Sequence, residues 1–314
     1  MEKPVSVDGP TTRRMIELAA KAKEKNLKVG VGLMVRHCHG RQALLERIRN
    51  GEIGDIISMR AYRMGNRAAA VGPKPNNISE AMYQIQKFHS FIWASGGMFN
   101  DYYIHQVDEC SWMKGGWPIK AEALGGRHYR GDDVDQNLDS YAVEYTYADG
   151  TKLHFNGRNM TGCQTAFGSF VHGSNGSAIV STSGHTPGRV RTFSGQNFSD
   201  DDLTWAYPQP ERNPYQIEWD DLIQAIRDDQ PYNEVERGAI ASMVSSMGRM
   251  SAHTGQVVTY DEMLNHPIEL APDVDRLTED GPAPLAADAA GRYPVPQPGI
   301  LTDREYEPFA NPPA

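Results

Sequence analysis

The sequence predicts a chain of mixed class, in which the end of an α/β (βαβ) series is followed by an α+β domain with a mostly antiparallel open sheet. Three observations indicate this order. An amphipathic helical segment leads into an apolar run near the N-terminus, short β-rich runs occupy residues 119–194, and two helical segments follow them. The 314 residues are enough for two domains of ordinary size.

The N-terminal segment predicts one helix and one strand of a parallel sheet. Residues 11–26 place apolar groups at helical spacing after the start signals Asp8 and Pro10, and residues 28–35 (KVGVGLMV) are typical of a buried strand. A buried parallel strand needs neighbouring strands, and the residues before it do not supply them. We therefore expect that part of this domain lies upstream of Met1.

The remaining elements are predicted from periodicity and turn signals. Helices are expected at residues 42–50, 98–113, 215–228 and 235–251, and a strand at residues 55–64. Ala148-Asp149-Gly150 is a hairpin-type turn between two β-rich runs, which indicates antiparallel pairing. From residue 266 onward proline and acidic residues dominate, so we expect an extended tail over the surface.

Composition excludes several classes of partner. A net charge of -9 without a long basic run argues against a nucleic-acid or anionic-membrane footprint, so a small molecule fits better. The three cysteines lack the spacing of a disulfide framework or a structural zinc site. No stretch has the length and apolarity of a signal peptide or a membrane span. The expected location of the chain as printed is cytoplasmic, and export stays possible if a signal precedes Met1.

Four segments together resemble the Gfo/Idh/MocA family, the relatives of glucose-fructose oxidoreductase and inositol dehydrogenase. Glu2-Lys3-Pro4 is similar to a short motif that ends the family's fifth Rossmann strand. Residues 95–108 (SGGMFNDYYIHQVD) resemble its glycine-rich segment with Asp, three residues, then His. Residues 219–231 and 251–258 are similar to a later helix and to the closing helix and strand. The resemblance covers residues 1 to about 265.

The resemblance implies three regions and also shows departures. Residues 1–36 would be the C-terminal remnant of a dinucleotide-binding Rossmann domain, residues 37–265 a substrate-binding and oligomerisation domain with a mostly antiparallel open sheet, and residues 266–314 an extended proline-rich tail. The phosphate-binding glycine turn is absent, and Gly30-Val31-Gly32 is no substitute because it lies within the strand. Tyr103 replaces a glycine of the pattern, and Met98 stands where a third glycine is common.

By this resemblance the chain is expected to be an NAD(P)-dependent oxidoreductase of a sugar or polyol, inactive on its own. The implied catalytic residues are Lys3, Asp101 and His105. Asp101 and His105 are four residues apart, which places them on one face of an α-helix, where the carboxylate could orient the imidazole or hold a hydroxyl. His105 is the expected acid/base group because its ordinary pKa lies near neutrality.

Further residues follow from the same resemblance. The cofactor, NAD or NADP, is expected to contact Glu2, Lys3, Pro4 and Arg36, with the phosphate-binding half of its site absent from the chain. The sugar is expected to contact Lys3, His89, Trp93, Asp101, Tyr103, His105 and Arg158. For Trp93 and Tyr103 burial in a core is an equally good interpretation.

The alternatives concern metals and other functions. No metal is expected, because His37-Cys38-His39 are consecutive and Asp101, His105 and Glu109 lack a second ligand cluster. Two alternative functions remain: an NAD-dependent glycosidase of the same fold, and a non-catalytic fragment that binds sugar or takes part in assembly. The expected partners are a small sugar or polyol and further copies of the chain, joined through the open sheet, with no nucleic acid or membrane.

Overall fold

A computed structural model describes residues 1–309. Its eight α-helices in this range are Gly9–Glu24 (α1), His39–Arg49 (α2), Glu80–Gln86 (α3), Ile92–Ser95 (α4), Ile104–Lys114 (α5), Pro214–Arg227 (α6), Val235–Thr254 (α7) and Tyr260–Leu264 (α8). Its nine strands are Ile56–Gly65 (β1), Lys120–Gly126 (β2), Ser140–Thr146 (β3), Lys152–Asn159 (β4), Ala166–Gly173 (β5), Ser177–Thr182 (β6), Arg191–Phe193 (β7), Leu203–Ala206 (β8) and Val258–Thr259 (β9).

All nine strands form one open sheet in the order β8-β7-β6-β5-β1-β4-β3-β2-β9. Every neighbouring pair is antiparallel except β1 and β4. This sheet confirms the predicted mixed class with a mostly antiparallel open sheet. The predicted hairpin turn at residues 148–150 joins the antiparallel strands β3 and β4.

The helices α5 and α7 cover one face of the sheet and close the main core. Side chains along β4 alternate between buried and exposed positions, as expected for a strand with only one face covered. The other face stays open, and Leu124 in β2 is 77% exposed there. No helix in residues 1–309 is long and apolar enough to cross a membrane.

The segment at residues 28–35 differs from its prediction. Its apolar side chains are buried, but within the described chain it has only an isolated parallel bridge between Val29 and Asn233, and it ends in the 3₁₀ turn Met34–His37. On its other side Met1 donates to Gly30 O at 2.7 Å and accepts from Gly32 N at 3.0 Å, which is the hydrogen-bond pattern of parallel pairing. The prediction of a full strand was wrong, because a strand needs several consecutive hydrogen-bonded pairs and this segment has only a single bridge on each side.

The predicted helix at residues 98–113 is also interrupted. The glycine pair Gly96-Gly97 adopts positive φ angles of 70° and 62°, and a π-helical turn, Phe99–Tyr103, follows before α5 begins. A π turn carries more residues than an α turn, so it shifts the faces on which later side chains lie. The prediction that Asp101 and His105 share one α-helical face therefore does not hold.

The tail contains no α-helix between residues 266 and 309, but it does not lie wholly on the surface. Leu285, Tyr293 and Tyr306 are buried in a second apolar cluster with residues around α3 and α4. Glu305 is buried as well and pairs with Arg249 of α7. The expectation of a tail confined to the surface was wrong, because side chains of this proline-rich segment complete a core.

Candidate active site

The candidate site begins with an ion pair between residues 98 positions apart. Lys3 Nζ lies 3.0 Å from Asp101 Oδ1 and also donates to the backbone oxygen of Asp101. The other carboxylate oxygen, Oδ2, lies 2.7 Å from His89 Nδ1. Burial alone would raise the pKa of Asp101, but His89 and Lys3 outweigh burial and hold that pKa below its ordinary value. Asp101 is therefore a carboxylate that fixes a lysine and a histidine.

His105 lies near this ion pair but is not bound to Asp101. Its ring is 4.3 Å from the ring of His185, and its Nδ1 is buried without a hydrogen-bond partner among the described residues. Burial, then the neighbouring His185 and the cations Lys3 and Arg63, keep the pKa of His105 well below 6.5. The imidazole is thus neutral at pH 7, and one of its nitrogens can accept a proton.

Arg63 of β1 holds His185 in one tautomer. Its Nη1 lies 2.6 Å from His185 Nε2, and since a guanidinium only donates, Nε2 must accept and the proton of His185 must be on Nδ1. Burial and the cations Arg63 and Arg41 lower the pKa of His185 to about 2. The guanidinium lies 5.6 Å from the ring centre of Tyr102 and 5.0 Å from that of Phe167.

The structure does not bring Trp93, Tyr103 or Arg158 to this cluster. Trp93 is buried against the tail, and its indole donates to Gln84 at 2.7 Å. Tyr103 is fully buried in the main core, where its hydroxyl meets Asn159. Arg158 donates to the backbone of Gln164 in the loop after β4. For Trp93 and Tyr103 these contacts support the core interpretation.

Arg36, expected at the cofactor, is engaged elsewhere. Its guanidinium makes three hydrogen bonds of 2.7–3.2 Å to the buried carboxylate of Asp108 and stacks near Trp112 and Trp117. A bidentate, stacked arginine of this kind is held in place by its partners. Arg36 therefore orders the junction between the N-terminal segment and α5.

The described residues offer only part of a dinucleotide site. Glu2 and Pro4 flank Lys3, and the carboxylate of Glu2 packs on Gly32, where a Cβ would lie 2.3 Å from Oε2. A pyrophosphate needs free backbone N–H groups at a helix N-terminus. The N-terminus of α1 is closed instead, because Asp8 Oδ1 accepts from the N–H of Thr11 and Asp8 Oδ2 accepts from that of Leu270. The residues present do not fit the phosphate part of the cofactor.

The sequence predicted no metal site, but the structure places three groups that could bind a cation close together, just after residues 28–35. Ligand atoms of His37, Glu218 and Glu234 lie within 4.8 Å of one another. His37 also lies 2.7 Å from Asp221 and 3.2 Å from Glu234, and these carboxylates raise its pKa against the effect of burial. Arg237 also lies 2.7 Å from Glu234, so cationic groups of the chain itself already contact these carboxylates.

Sequence reasoning missed Arg63 and His185. Arg63 lies in a predicted strand, where a charged residue is usually a solvated side chain, and His185 lies in a loop with no motif around it. The two are 122 positions apart, so no local pattern joins them.

Comparisons with known proteins agree with this fold. Residues 41–179 match the GFO/IDH/MocA C-terminal domain family. No curated protein matches the chain in sequence. Three solved structures with the same fold are an aldose-aldose oxidoreductase from Caulobacter crescentus complexed with glycerol, myo-inositol 2-dehydrogenase from Lactobacillus plantarum, and the super-repressor mutant of Gal80p from Saccharomyces cerevisiae.

The extent of these similarities is comparable in the three cases. The Caulobacter protein is 16% identical with a TM-score of 0.63 over 82% of this chain and 70% of its own. The Lactobacillus enzyme is 22% identical with a TM-score of 0.58, over 82% and 72%. Gal80p is 13% identical with a TM-score of 0.62, over 85% and 73%. Residues 41–179 therefore match the GFO/IDH/MocA C-terminal domain family, and the chain shares its fold with these three solved structures.

Proposed function

We propose that this chain is the substrate-binding part of an NAD(P)-dependent oxidoreductase that acts on a sugar or polyol. The supporting observation is the partly buried ion pair of Lys3 and Asp101 near a neutral His105 with an unpartnered nitrogen. Oxidation of a carbinol needs a fixed hydroxyl oxygen and a base for its proton. These three residues provide both in one place.

Each residue has a distinct task in the proposal. Asp101 holds the ammonium of Lys3, and Lys3 directs its one remaining N–H at the substrate oxygen. His105 takes the hydroxyl proton, because a neutral imidazole is a better base than an imidazolium. A nicotinamide, NAD or NADP, would supply the hydride acceptor.

Sugar binding tests the substrate side directly. The chain is titrated calorimetrically with myo-inositol and with D-glucose, and Lys3→Met is compared with Lys25→Met, which removes an exposed lysine of the same type. We expect Lys3→Met to weaken binding about tenfold, the usual effect of losing a charge-assisted hydrogen bond, and Lys25→Met to leave it unchanged. Equal behaviour of the two variants, or no binding of either compound, would rule out the site.

Turnover tests the role of His105. In any form of the protein that oxidises a sugar with NAD(P), His105→Ala should lower kcat about a hundredfold, as for loss of acid/base help. His154→Ala is the matched control, because His154 is an exposed histidine on the open sheet face. An unchanged kcat in His105→Ala would remove His105 from the mechanism.

A non-catalytic role is the second candidate, and the similarity in fold to Gal80p, a protein described by repression, favours it. In this case the 314-residue chain binds sugar but not the dinucleotide. NADH fluorescence titration tests whether this chain itself holds the dinucleotide, and oxidation of a sugar by any form of the protein would favour the first candidate over this one. We expect the present chain to bind NADH weakly or not at all, since α1 offers no open N-terminus, and saturation at micromolar NADH would refute this expectation.

We also propose that the open sheet face joins two or more copies of the chain. Leu124 projects from this face, and pairs of opposite charge flank it, Lys120 with Glu122 at 2.8 Å and Lys152 with Glu144 at 2.5 Å. Such a mixed patch can face a second copy of itself. Light scattering should give an oligomer for the wild type and a smaller species for Leu124→Glu. A monomeric wild type would contradict this proposal.

A further inference from the structure

Arg63 differs from the other cations near the two imidazoles because no carboxylate neutralises it. Lys3 is paired with Asp101, and Arg41 with Glu109 at 3.0 Å. Within residues 1–309 no carboxylate oxygen lies within 4.0 Å of Arg63. Burial lowers the pKa of Arg63, and the neighbouring tyrosines and Asp101 offset this only in part. The site thus carries about one uncompensated positive charge.

Buried N–H groups beside Arg63 also lack acceptors. The Nδ1–H of His185, whose tautomer is fixed by Arg63, has no partner among the described residues. Nη1 and Nη2 of Arg41, a residue that is 0% exposed and whose charge acts on His185, also have no partner among the described residues. A buried donor without an acceptor costs roughly 1–3 kcal/mol. The cluster therefore favours a ligand group that brings acceptor oxygens.

The surroundings of Arg63 favour a planar monoanion. Tyr102 and Phe167 lie near its guanidinium and limit the access of water to it. A guanidinium fork matches a carboxylate in plane through two parallel hydrogen bonds. A phosphate monoester carries about 1.5 to 2 negative charges at pH 7. This is nearly twice the single positive charge of Arg63, so a carboxylate matches the site better.

We propose that Arg63 and His185 form a subsite for a carboxylate group of the substrate, so that the sugar bound by this chain is a sugar acid. The inference rests on the proposed function, because it uses side chains of the same cluster as Lys3. Arg63 receives the carboxylate through its free N–H groups, and His185 Nδ1–H donates to it. Lys3 and Asp101 then hold the hydroxyl that is to be oxidised.

The experiment compares ligands that differ only in the group concerned. The chain is titrated calorimetrically with D-glucuronate, D-glucose and D-glucose 6-phosphate at pH 7.5. We expect D-glucuronate to bind about tenfold more tightly than D-glucose, the usual gain from a charge-assisted hydrogen bond. Equal affinities for D-glucuronate and D-glucose would overturn the inference, as would tighter binding of the phosphate.

Variants of Arg63 test whether this residue causes the preference for D-glucuronate over D-glucose. Arg63→Gln should abolish the preference for D-glucuronate, measured as the ratio of the D-glucuronate and D-glucose affinities of the same variant, and Arg63→Lys should retain part of it. Arg67→Gln is the control, because it removes an exposed arginine four residues along the chain. A preference that survives Arg63→Gln contradicts the inference. If that variant does not fold, the wild-type comparison decides.

The two proposals fail in different ways. If D-glucose binds in a Lys3-dependent manner and D-glucuronate is not preferred, the carboxylate subsite is wrong and the proposed function stands. If none of the sugars binds, both are wrong. If D-glucuronate is preferred but Lys3→Met has no effect, an acid-binding site exists without the proposed catalytic site.

Discussion

Replacement of Glu305 by alanine should strongly destabilise the protein, although this residue lies in the proline-rich tail. Glu305 accepts from Nε and Nη2 of Arg249, each at 2.8 Å, and lies 2.8 Å from His253 Nδ1. The three side chains are buried. The substitution leaves the charge of Arg249 buried with Val7 O and Ser246 Oγ as its remaining acceptors.

Two estimates of the loss agree. Removal of one partner of a buried ion pair costs about 3–5 kcal/mol. Burial alone would raise the pKa of Glu305, but Arg249 and His253 outweigh burial and bring it from 4.5 to about 2. That difference of about 2.5 pH units, at about 1.4 kcal/mol for each unit, gives about 3.5 kcal/mol.

The pH dependence has a definite sign. The depressed pKa of Glu305 means that its contribution is fully present above pH 4.5 and is lost as the pH falls towards 2. The free energy of unfolding of the wild type and of Glu305→Ala should therefore differ by about 3.5 kcal/mol at pH 7 and should converge in acid.

Urea denaturation followed by circular dichroism and by tryptophan fluorescence measures the change. Glu307→Ala is the matched control, because Glu307 is 60% exposed and pairs with Arg304 at 2.9 Å on the surface. The control should change the free energy of unfolding by less than about 1 kcal/mol. A loss below about 1 kcal/mol in Glu305→Ala, or equal losses in the two variants, would refute the reasoning.

Two further predictions concern packing and thiol reactivity. Gly157→Ala should destabilise the protein by about 1–3 kcal/mol, because a Cβ would lie 2.5 Å from the buried ring of Tyr103. Gly116→Ala is the control, because a Cβ there would meet nothing within 4 Å. Equal melting temperatures for the two variants would contradict this prediction. Cys163 is exposed, the other two cysteines are buried, and burial raises the pKa of Cys110 above its ordinary value. A thiol reagent should therefore modify one cysteine in the native protein and three in urea. Rapid modification of more than one thiol in the native protein would contradict this prediction.

Local patterns predicted the elements well where the residues concerned are close in sequence. The helices α1, α6 and α7 begin and end within about three residues of the expected positions, since amphipathic spacing and capping residues act within one or two turns. The strand at residues 28–35 was wrong because pairing depends on distant neighbours. The π turn at Phe99–Tyr103 was missed because it follows from contacts such as those of Asn100 with Ser242 and Ser246 in α7.

The sequence alone indicated the resemblance to the Gfo/Idh/MocA family, most of the helices and strands, and the candidate residues Lys3, Asp101 and His105, because motifs and periodicity extend over short stretches of chain. Only the tertiary structure decided their partners. Asp101 pairs with Lys3 and His89 rather than with His105, and Arg63 meets His185 across 122 residues. Such contacts depend on strand order and loop paths, which are set by the burial of the whole chain rather than by any local pattern.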